Sequence, residues 1–270
     1  MCGKKANMKM IALFNNKGGV GKTTSVINLA YSLAKLGRVL VIDCDGQGNS
    51  SRFFADNQPK NNIVNALTAA PVSVTSAVTH TRYDKIDIVV SDQKMNDAVS
   101  DFEKLPRNTQ IGNCEKLREE WYYSWYAGKK YDYILVDLPP ALNSITKTIL
   151  SVCDVVFVPI ELSAFAIQGV PNVTSVISEC GCRFGGCFAS KFDRECPADF
   201  EMLDMIRKQL GSKMLRTVIP QSRVIKNSLS YRLTAKEYME WTAAADCYDQ
   251  LADEIVQICS EFKDIERKQA

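Results

Sequence analysis

Short apolar runs alternate along the chain with longer segments whose apolar residues have helical spacing. The apolar runs predict strands at 10–14, 38–42, 86–90, 133–136, 154–160, 183–192 and 214–219. The segments between them predict helices at 24–36, 62–69, 93–105, 110–126, 165–178 and 198–210. Continuous runs rich in β-branched residues are typical of strands buried on both faces of a parallel sheet. The alternation therefore predicts an α/β fold, in which a doubly wound, mostly parallel sheet carries helices on both faces.

The remaining segments set the boundaries of this fold. We expect a single domain over residues 1–270, in which residues 1–8 form a disordered lead. Gly37 predicts the C′ end of the first helix, and the polar residues 71–81 predict a loop. Residues from about 237 to 268 predict one C-terminal helix that packs on the domain.

A glycine-rich stretch, residues 17–24, joins the first predicted strand to the first predicted helix. Glycines let backbone N–H groups converge on phosphate oxygens, and the start of the helix adds its positive dipole end. In this context Lys22 would reach the β- and γ-phosphates, and the Thr23 hydroxyl would ligate Mg²⁺. Gly21 fits the usual phosphate-loop pattern, whereas Asn16 occupies the position of its first glycine. The stretch therefore predicts a nucleoside triphosphate site.

Carboxylates follow two of the predicted strands. Asp43 and Asp45 come directly after the second predicted strand, and Asp137 ends the fourth. Open α/β sheets bind ligands at the carboxyl ends of their strands, and carboxylates beside a phosphate loop position Mg²⁺ and water. The alternative for Asp43 and Asp45 is a solvated acidic turn built on Gly46 and Gly48. The neighbouring phosphate loop favours the magnesium interpretation.

Together these motifs resemble the deviant Walker A ATPases of the ParA/MinD/Soj class. Residues 17–24 have the K-G-G-x-G-K-T-T form of that class, residues 43–49 are similar to its D-x-D-P-Q-x-N motif, and residues 137–140 match its D-x-P-P motif. Gly46 stands where proline is usual, which loosens the turn. The resemblance extends from about residue 9 to the C-terminal helix. It implies a ParA/Soj-type partition ATPase with the P-loop NTPase fold.

The resemblance also implies a role for each motif residue. Hydrolysis of ATP is expected to be slow, dependent on Mg²⁺ and stimulated by a partner protein. Asp45 falls on the aspartate that positions the attacking water, and Lys17 on the lysine that crosses an ATP-bound sandwich dimer to the partner's phosphates. The expected catalytic residues are Lys17, Lys22 and Asp45, and the expected Mg²⁺ residues are Thr23, Asp43 and Asp137. The expected ATP-binding residues are Lys17, Gly18, Gly19, Val20, Gly21, Lys22, Thr23 and Thr24, with Pro220 or the 191–193 loop near the base.

Eight lysine and arginine residues, with no Asp or Glu among them, lie between positions 205 and 236. Such a run is either a solvated face or a surface that contacts the phosphate backbone of DNA, and the absence of acids favours the second. The resemblance implies non-specific DNA binding by the dimer, and Arg216, Arg223 and Lys226 are the candidate contacts. It further implies stimulation by a ParB-like centromere-binding protein. We expect no N-terminal helix-turn-helix domain, and therefore no operator-specific repression.

The composition indicates the cellular location of the protein and the kinds of site that it can form. The formal net charge is +2, and 46% hydrophobic with 24% charged residues is ordinary for a globular chain. No apolar stretch has the length of a membrane span, and residues 1–7 lack the apolar region of a signal peptide. We therefore expect a cytoplasmic, nucleoid-associated protein whose ten cysteines are reduced thiols. The single histidine, His80, leaves little scope for histidine-rich metal sites or Ser-His-Asp catalysis.

Two other functions remain open on the sequence. A MinD-like positioning ATPase would act at a membrane, but residues 249–268 hold six acids and three bases, which anionic lipid would repel. A metal-carrying or non-enzymatic relative would use the cysteines at 180–196, whose spacing is not the paired C-x2-C of most metal sites. The aromatic cluster at 121–126 is either a base-stacking platform or a packing face. Its position before a core strand favours packing.

Overall fold

The computed structural model describes residues 8–56, 59, 61–67, 76–123 and 131–262. Its strands form one eight-stranded sheet. The strands are β1 (Lys9–Leu13), β2 (Val39–Asp43), β3 (Val78–His80), β4 (Ile86–Val89), β5 (Tyr133–Asp137), β6 (Val155–Glu161), β7 (Arg183–Phe192) and β8 (Met214–Pro220).

Helices cover both faces of this sheet. They are α1 (Lys22–Leu33), α2 (Asn49–Phe54), α3 (Ile63–Leu67), α4 (Lys94–Glu103), α5 (Arg107–Tyr123), α6 (Ser144–Val152), α7 (Ala164–Glu179), α8 (Pro197–Leu210), α9 (Arg223–Ser230), α10 (Ala235–Tyr238) and α11 (Ala243–Glu261). Alternate residues of β1 divide between two cores. Met10 and Ala12 pack with α3–α8 on one face, and Ile11 and Leu13 pack with α1, α2 and α9–α11 on the other. The predicted doubly wound α/β fold is therefore confirmed.

The strand order is β3-β4-β2-β5-β1-β6-β7-β8, and only the β3–β4 pair is antiparallel. From β1 the chain runs to β2 on one side of it, and after β5 it crosses to β6 on the other side. The loops at the carboxyl end of β1 therefore diverge. Such a switch point is where open α/β sheets bind their ligands.

Three helices and one strand were missing from the sequence prediction. β3 falls within residues 71–81, predicted to be a loop, and pairs with β4 at the edge of the sheet. α2, α6 and α9 have six, nine and eight residues, which is too short for a convincing apolar period. Side-chain caps begin two of these helices, because Asn143 accepts from the Thr146 N–H and Ser222 accepts from the Val224 N–H.

Gly37 does not end α1 in the predicted manner. α1 ends at Leu33 with Ala34 as its C-cap. A Cβ atom at residue 37 would lie 2.5 Å from the Asp132 carboxylate, which accepts a hydrogen bond from the Arg38 N–H at 2.8 Å. A glycine at position 37 therefore allows Asp132 to approach the backbone closely. The prediction that Gly37 forms the C′ end of α1 was wrong.

The C-terminal helix predicted as one element is two helices, α10 and α11. Thr242 separates them, because its side chain caps α11 by accepting from the Ala245 N–H. Leu251 and Ile255 of α11 are fully buried, and α11 packs on α1 and β8. The apolar face of this helix is therefore part of the core.

Some sequence predictions fall on residues or side chains that lie outside the described part of the chain. Residues 1–7 of the expected lead, residues 263–268 of the C-terminal helix and the side chains of the 121–126 aromatic cluster belong to that group. Met8, placed in the lead, is buried. Within the described ranges, no helix combines the length and apolar character needed to cross a membrane.

Candidate nucleotide-binding site

Three neighbouring strand ends bring the predicted motifs together. β5 lies between β1 and β2, and Asp137 is in register with Leu13 on one side and with Asp43 on the other. The loop that follows β1 is therefore adjacent to both carboxylates. This single edge of the sheet holds the glycine-rich stretch, Asp43, Asp45 and Asp137, as the sequence predicted.

Two glycines of the loop adopt the left-handed backbone conformation. Gly19 has φ +76° and Gly21 has φ +85°. A residue with a side chain would be strained at either position. Gly21 is also the N-cap of α1, and it provides no side chain to cap the helix. The first N–H groups of α1 are thus available to an anion, supported by the helix dipole.

Buried polar side chains attach the loop to the neighbouring strands. Asn15 donates from Nδ2 to the Pro159 carbonyl at 2.9 Å. Ser190 donates through its hydroxyl to the Val20 carbonyl at 2.8 Å and to the Ile160 carbonyl at 3.1 Å. The sequence analysis missed Ser190, for which the available signal was a hydroxyl inside an otherwise apolar strand.

The two lysines of the loop differ in their surroundings. Lys22 is 7% exposed, and its ammonium donates to the carbonyls of Asn15 at 2.8 Å and Lys17 at 3.2 Å. Burial lowers the pKa of Lys22, and the charges of Asp137 and Asp45 oppose that shift. The Lys17 side chain is half exposed, and its ammonium lies 3.2 Å from Glu161 Oε2. Lys22 is therefore fixed within the loop, whereas Lys17 reaches its surface.

Asp137 is a buried carboxylate with one unused oxygen. Its Oδ2 accepts a 2.6 Å hydrogen bond from the Ser50 hydroxyl. Its Oδ1 is buried and has no hydrogen-bond partner of good geometry among the described residues. Burial, followed by the charge of Asp43, raises the pKa of Asp137 to about 7, and the side chains of Ser50 and Thr23 limit the rise. A buried carboxylate oxygen that makes no well-aligned hydrogen bond, with the Thr23 hydroxyl beside it, fits a hydrated divalent cation.

Asp43 is buried and fully engaged by the protein. Its Oδ2 accepts from the Ser51 N–H at 2.8 Å and from the Ser51 hydroxyl at 2.7 Å, and its Oδ1 accepts from the Asp45 N–H at 3.0 Å. Burial raises the pKa of Asp43 to about 6. Both oxygens thus hold the start of the acidic loop. Asp45 is only partly buried, and its Oδ1 accepts from the Gln47 N–H at 2.9 Å. Ser50 and Ser51, at the start of α2, were not identified from the sequence.

A cleft of about 690 Å³ opens beside the start of α1. Gly21 and Thr24 form one part of its lining, and Pro220 and Lys191 form another. Pro220 is thereby placed next to the phosphate loop. The cleft is large enough for a nucleoside that extends from phosphates held by the loop.

The basic stretch is divided among several parts of the surface. Four of its members form ion pairs with acids elsewhere in the chain: Lys208 with Asp204, Arg216 with Glu254, Arg232 with Asp56, and Lys236 with Asp246. Arg223 and Lys226 are exposed on α9, line the same cleft and form no ion pair with a described residue. The run is therefore not one free basic surface, since Arg207 and Lys213 also form no ion pair with a described residue but do not line the cleft.

The four cysteines considered for a metal site do not form one. Among the described residues, no group of three or more His, Cys, Asp or Glu side chains is arranged to hold a metal ion directly. Cys187 is buried in β7, where burial raises the pKa of its thiol to about 12. A protonated, buried thiol of this kind behaves as a small apolar side chain.

The model of the AAA domain family matches residues 8–184. The chain belongs to this family. The curated relatives that it resembles are ParA and Soj partition proteins. It is 28% identical to the chromosome partitioning protein ParA of Caulobacter vibrioides, over 92% of this chain and 94% of the relative. It is 28% identical to the chromosome-partitioning ATPase Soj of Thermus thermophilus, over 93% and 97%. With the sporulation initiation inhibitor protein Soj of Bacillus subtilis it shares 25%, over 92% and 98%.

Solved structures confirm the fold of this ParA-type chain. The septum site-determining protein MinD of Pyrococcus horikoshii, complexed with Mg-ADP, superposes with a TM-score of 0.75 at 18% identity, covering 96% of this chain and all of that one. A plasmid partition protein of Borrelia burgdorferi bound to AMPPNP gives a TM-score of 0.75 at 21% identity, covering 94% and 98%. These similarities establish the shared fold.

Proposed function

We propose that this ParA-type chain is an ATP-dependent DNA partition ATPase. The observation that carries the proposal is the meeting of the glycine-rich loop, the buried Lys22 and the unused oxygen of Asp137 at one edge of the sheet. A polyphosphate needs N–H donors and an ammonium, and its Mg²⁺ needs oxygen ligands. The neighbouring residues supply all of these groups.

The residues of the loop have separate roles in this proposal. Residues 18–24 hold the ATP phosphates through backbone N–H groups, and Lys22 moves from the carbonyls of its own loop to the β- and γ-phosphates. Thr23 and Asp137 would hold Mg²⁺, which would supply positive charge to neutralise the phosphates. Asp43 keeps the acidic loop in place through Ser51, and Asp45 orients the attacking water. Pro220 lies against the base in the adjoining cleft.

In this proposal Lys17 acts between two subunits. Lys17 is half exposed, and its ion pair with Glu161 is a solvent-exposed one of small energy. The ammonium is therefore free to turn outward and reach the phosphates of a second copy in an ATP-bound sandwich dimer. There it supplies the positive charge that an arginine finger supplies in other NTPases.

The dimer binds DNA without sequence specificity. Arg223 and Lys226 are exposed cations one turn apart on α9 that have no ion-pair partner in the described ranges, and Arg216 keeps most of its side chain in solvent. Closure of two subunits would double this set of charges, and phosphate contacts are additive in their salt dependence. Hydrolysis, stimulated by a ParB-like centromere-binding protein on the nucleoid, then opens the dimer and releases the DNA.

A gel shift on non-specific duplex DNA with ATP, ADP or no nucleotide tests this proposal. We expect retardation with ATP alone, and loss of retardation in Lys17→Ala, which keeps the nucleotide loop but lacks the charge that crosses the dimer. Binding that ignores nucleotide would separate DNA contact from the ATPase cycle. Absence of binding under every condition would contradict the partition function.

Membrane positioning of the MinD kind is the competing function. Its amphipathic helix would need an apolar face free to enter lipid. In α11 that face is buried on α1 and β8. Sedimentation with anionic liposomes distinguishes the two functions, because co-sedimentation that requires ATP would favour positioning at a membrane.

A further inference from the structure

Glu161 lies between two lysines at the carboxyl end of β6. Its Oε2 is 3.2 Å from the Lys17 ammonium, and its Oε1 is 4.0 Å from the Lys191 ammonium. In the pairing of β6 with β7, Glu161 is in register with Ser190, and Lys191 is the next residue of β7. One carboxylate therefore serves a lysine of the phosphate loop and a lysine of the neighbouring strand.

The backbone of Lys17 is held by the loop, so a change of partner falls on its side chain. The Lys17 N–H donates to Asn15 Oδ1 at 2.9 Å, and its carbonyl accepts from the Lys22 ammonium at 3.2 Å. Asn15 in turn donates to the Pro159 carbonyl of β6, two residues before Glu161. Movement of the Lys17 ammonium towards another subunit is therefore a rotation about side-chain bonds that starts from the contact with Glu161.

An unusual backbone conformation places Lys191 beside the same carboxylate. Its φ is +56°, a left-handed value that residues with a side chain seldom adopt. Such conformations persist where the surrounding structure fixes them, and they are frequent at functional sites. The Lys191 side chain is partly exposed and lines the cleft beside the phosphate loop, as Glu161 does. The strand thus keeps a second cation within reach of Glu161.

The contact between Lys17 and Glu161 opposes closure of the proposed dimer. Both side chains are partly exposed, so that one such ion pair is weak. A dimer that closes over two nucleotides has to release two of them, one in each subunit. Their combined energy therefore lowers the affinity of the subunits for each other. Lys191 limits this effect, because it leaves Glu161 with a cation after Lys17 has gone.

We propose that Glu161 is a positioning residue that holds Lys17 on its own subunit until a second ATP-bound copy approaches, and that Lys191 takes over the carboxylate when Lys17 leaves. The inference rests on the proposed function, because it requires Lys17 to act across the dimer. It adds a regulation of that step, since the strength of this ion pair sets the protein concentration at which two ATP-bound subunits close.

Sedimentation velocity of the full chain, with Mg²⁺ and saturating AMPPNP in place of ATP, tests the proposal. We expect Glu161→Gln to lower the dissociation constant of the dimer about 5-fold, because two weak ion pairs no longer have to be released. Lys191→Met keeps the length of the side chain and removes its charge. It should raise the dissociation constant, because Glu161 is then left without a cation when Lys17 departs.

Asp204→Asn is the matched control for the loss of one exposed carboxylate. Asp204 pairs with Lys208 at 2.6 Å on α8 and does not line the cleft. This variant should leave the dissociation constant of the dimer unchanged. A dissociation constant that is equally unchanged in Glu161→Gln would overturn the proposal. A wild type that stays monomeric with AMPPNP would contradict the proposed function itself, and this inference with it.

A second measurement separates release of Lys17 from simple repulsion between Glu161 and the phosphates. Calorimetry gives the affinity of Lys17→Ala subunits for AMPPNP, with and without Glu161→Gln. The ion pair is already absent in this background, so we expect the two affinities to be equal. A gain of about 5-fold from Glu161→Gln, as large as the gain in dimer affinity, would show that the carboxylate acts directly on the nucleotide and would overturn the proposal.

Discussion

Asp137 lies in register with Asp43 at the carboxyl ends of β5 and β2, and the charge of Asp43 adds to burial in raising the pKa of Asp137 to about 7. In an unfolded chain an aspartate titrates near pH 4. Between these pH values the folded protein holds a proton that the unfolded chain has lost. Stability from this carboxyl is therefore complete below about pH 4 and is lost as the pH rises through 7.

Asp137→Asn should remove much of that dependence. We expect the free energy of unfolding of the nucleotide-free variant at pH 8 to exceed that of the wild type by roughly 1–3 kcal/mol, because a buried charge is replaced by a neutral amide that can still accept from Ser50. Denaturant unfolding at several pH values between 5 and 8 measures this. Asp101→Asn, at an exposed position of α4, is the control and should leave the pH profile unchanged. A wild-type stability that rises from pH 5 to pH 8 would contradict the assignment.

Gly21→Ala should damage both the fold and the site. At φ +85° an alanine is strained by about 1–2 kcal/mol, and the strain falls on the residue that begins α1. We expect a lower melting temperature and loss of measurable ATP binding by calorimetry. Gly112→Ala is the matched control, because Gly112 lies within α5 with no atom near the position of its Cβ. That change should be neutral or stabilising by up to about 1 kcal/mol.

Ser190→Ala should loosen the phosphate loop without touching the nucleotide. The single hydroxyl proton of Ser190 lies between the Val20 and Ile160 carbonyls, and its removal takes away the donor that these two buried acceptors share. We expect a stability loss of about 1–2 kcal/mol and weaker binding of a fluorescent ATP analogue in a titration. Ser260→Ala, on the exposed side of α11, provides the comparison. Equal nucleotide affinity in both variants would show that the contact does not shape the site.

Replacing Arg223 and Lys226 together by alanine should weaken DNA binding in a salt-dependent manner. Two lost phosphate contacts reduce the slope of log affinity against log salt by about 2. Fluorescence anisotropy at several salt concentrations, with ATP present, measures the slope. Lys208→Ala is the matched control within the same basic stretch, because Lys208 is paired with Asp204 at 2.6 Å. An unchanged slope in the double variant would remove α9 from the DNA surface.

The sequence predicted that the carboxylates of the candidate site lie at one edge of the sheet, because that prediction depends only on local patterns. Asp43, Asp45 and Asp137 directly follow apolar strands, and parallel strands bring their carboxyl ends to the same edge. The hydroxyl groups that support them could not be predicted in the same way. Ser50 and Ser51 lie in a short helix without apolar periodicity, and Ser190 contacts the loop from a strand far along the chain.

The ion pairs of the basic stretch could not be predicted from the sequence. Its lack of acids is a property of residues adjacent in the chain, whereas pairing depends on residues adjacent in space. Asp56 and Glu254 lie outside the stretch, and folding brings them to Arg232 and Arg216. The C-terminal helix was misjudged for a similar reason, since the cap at Thr242 interrupts an otherwise continuous helical pattern.

The resting position of Lys22 determines when its dehydration takes place. Its ammonium is stripped of most water in the folded chain and is held by the carbonyls of Asn15 and Lys17. The desolvation cost is therefore met once, when the protein folds, and is not repeated at each encounter with nucleotide. An arriving phosphate has only to displace two carbonyl acceptors. The free energy needed to prepare this ammonium for a polyanion is therefore part of the folding free energy of the domain.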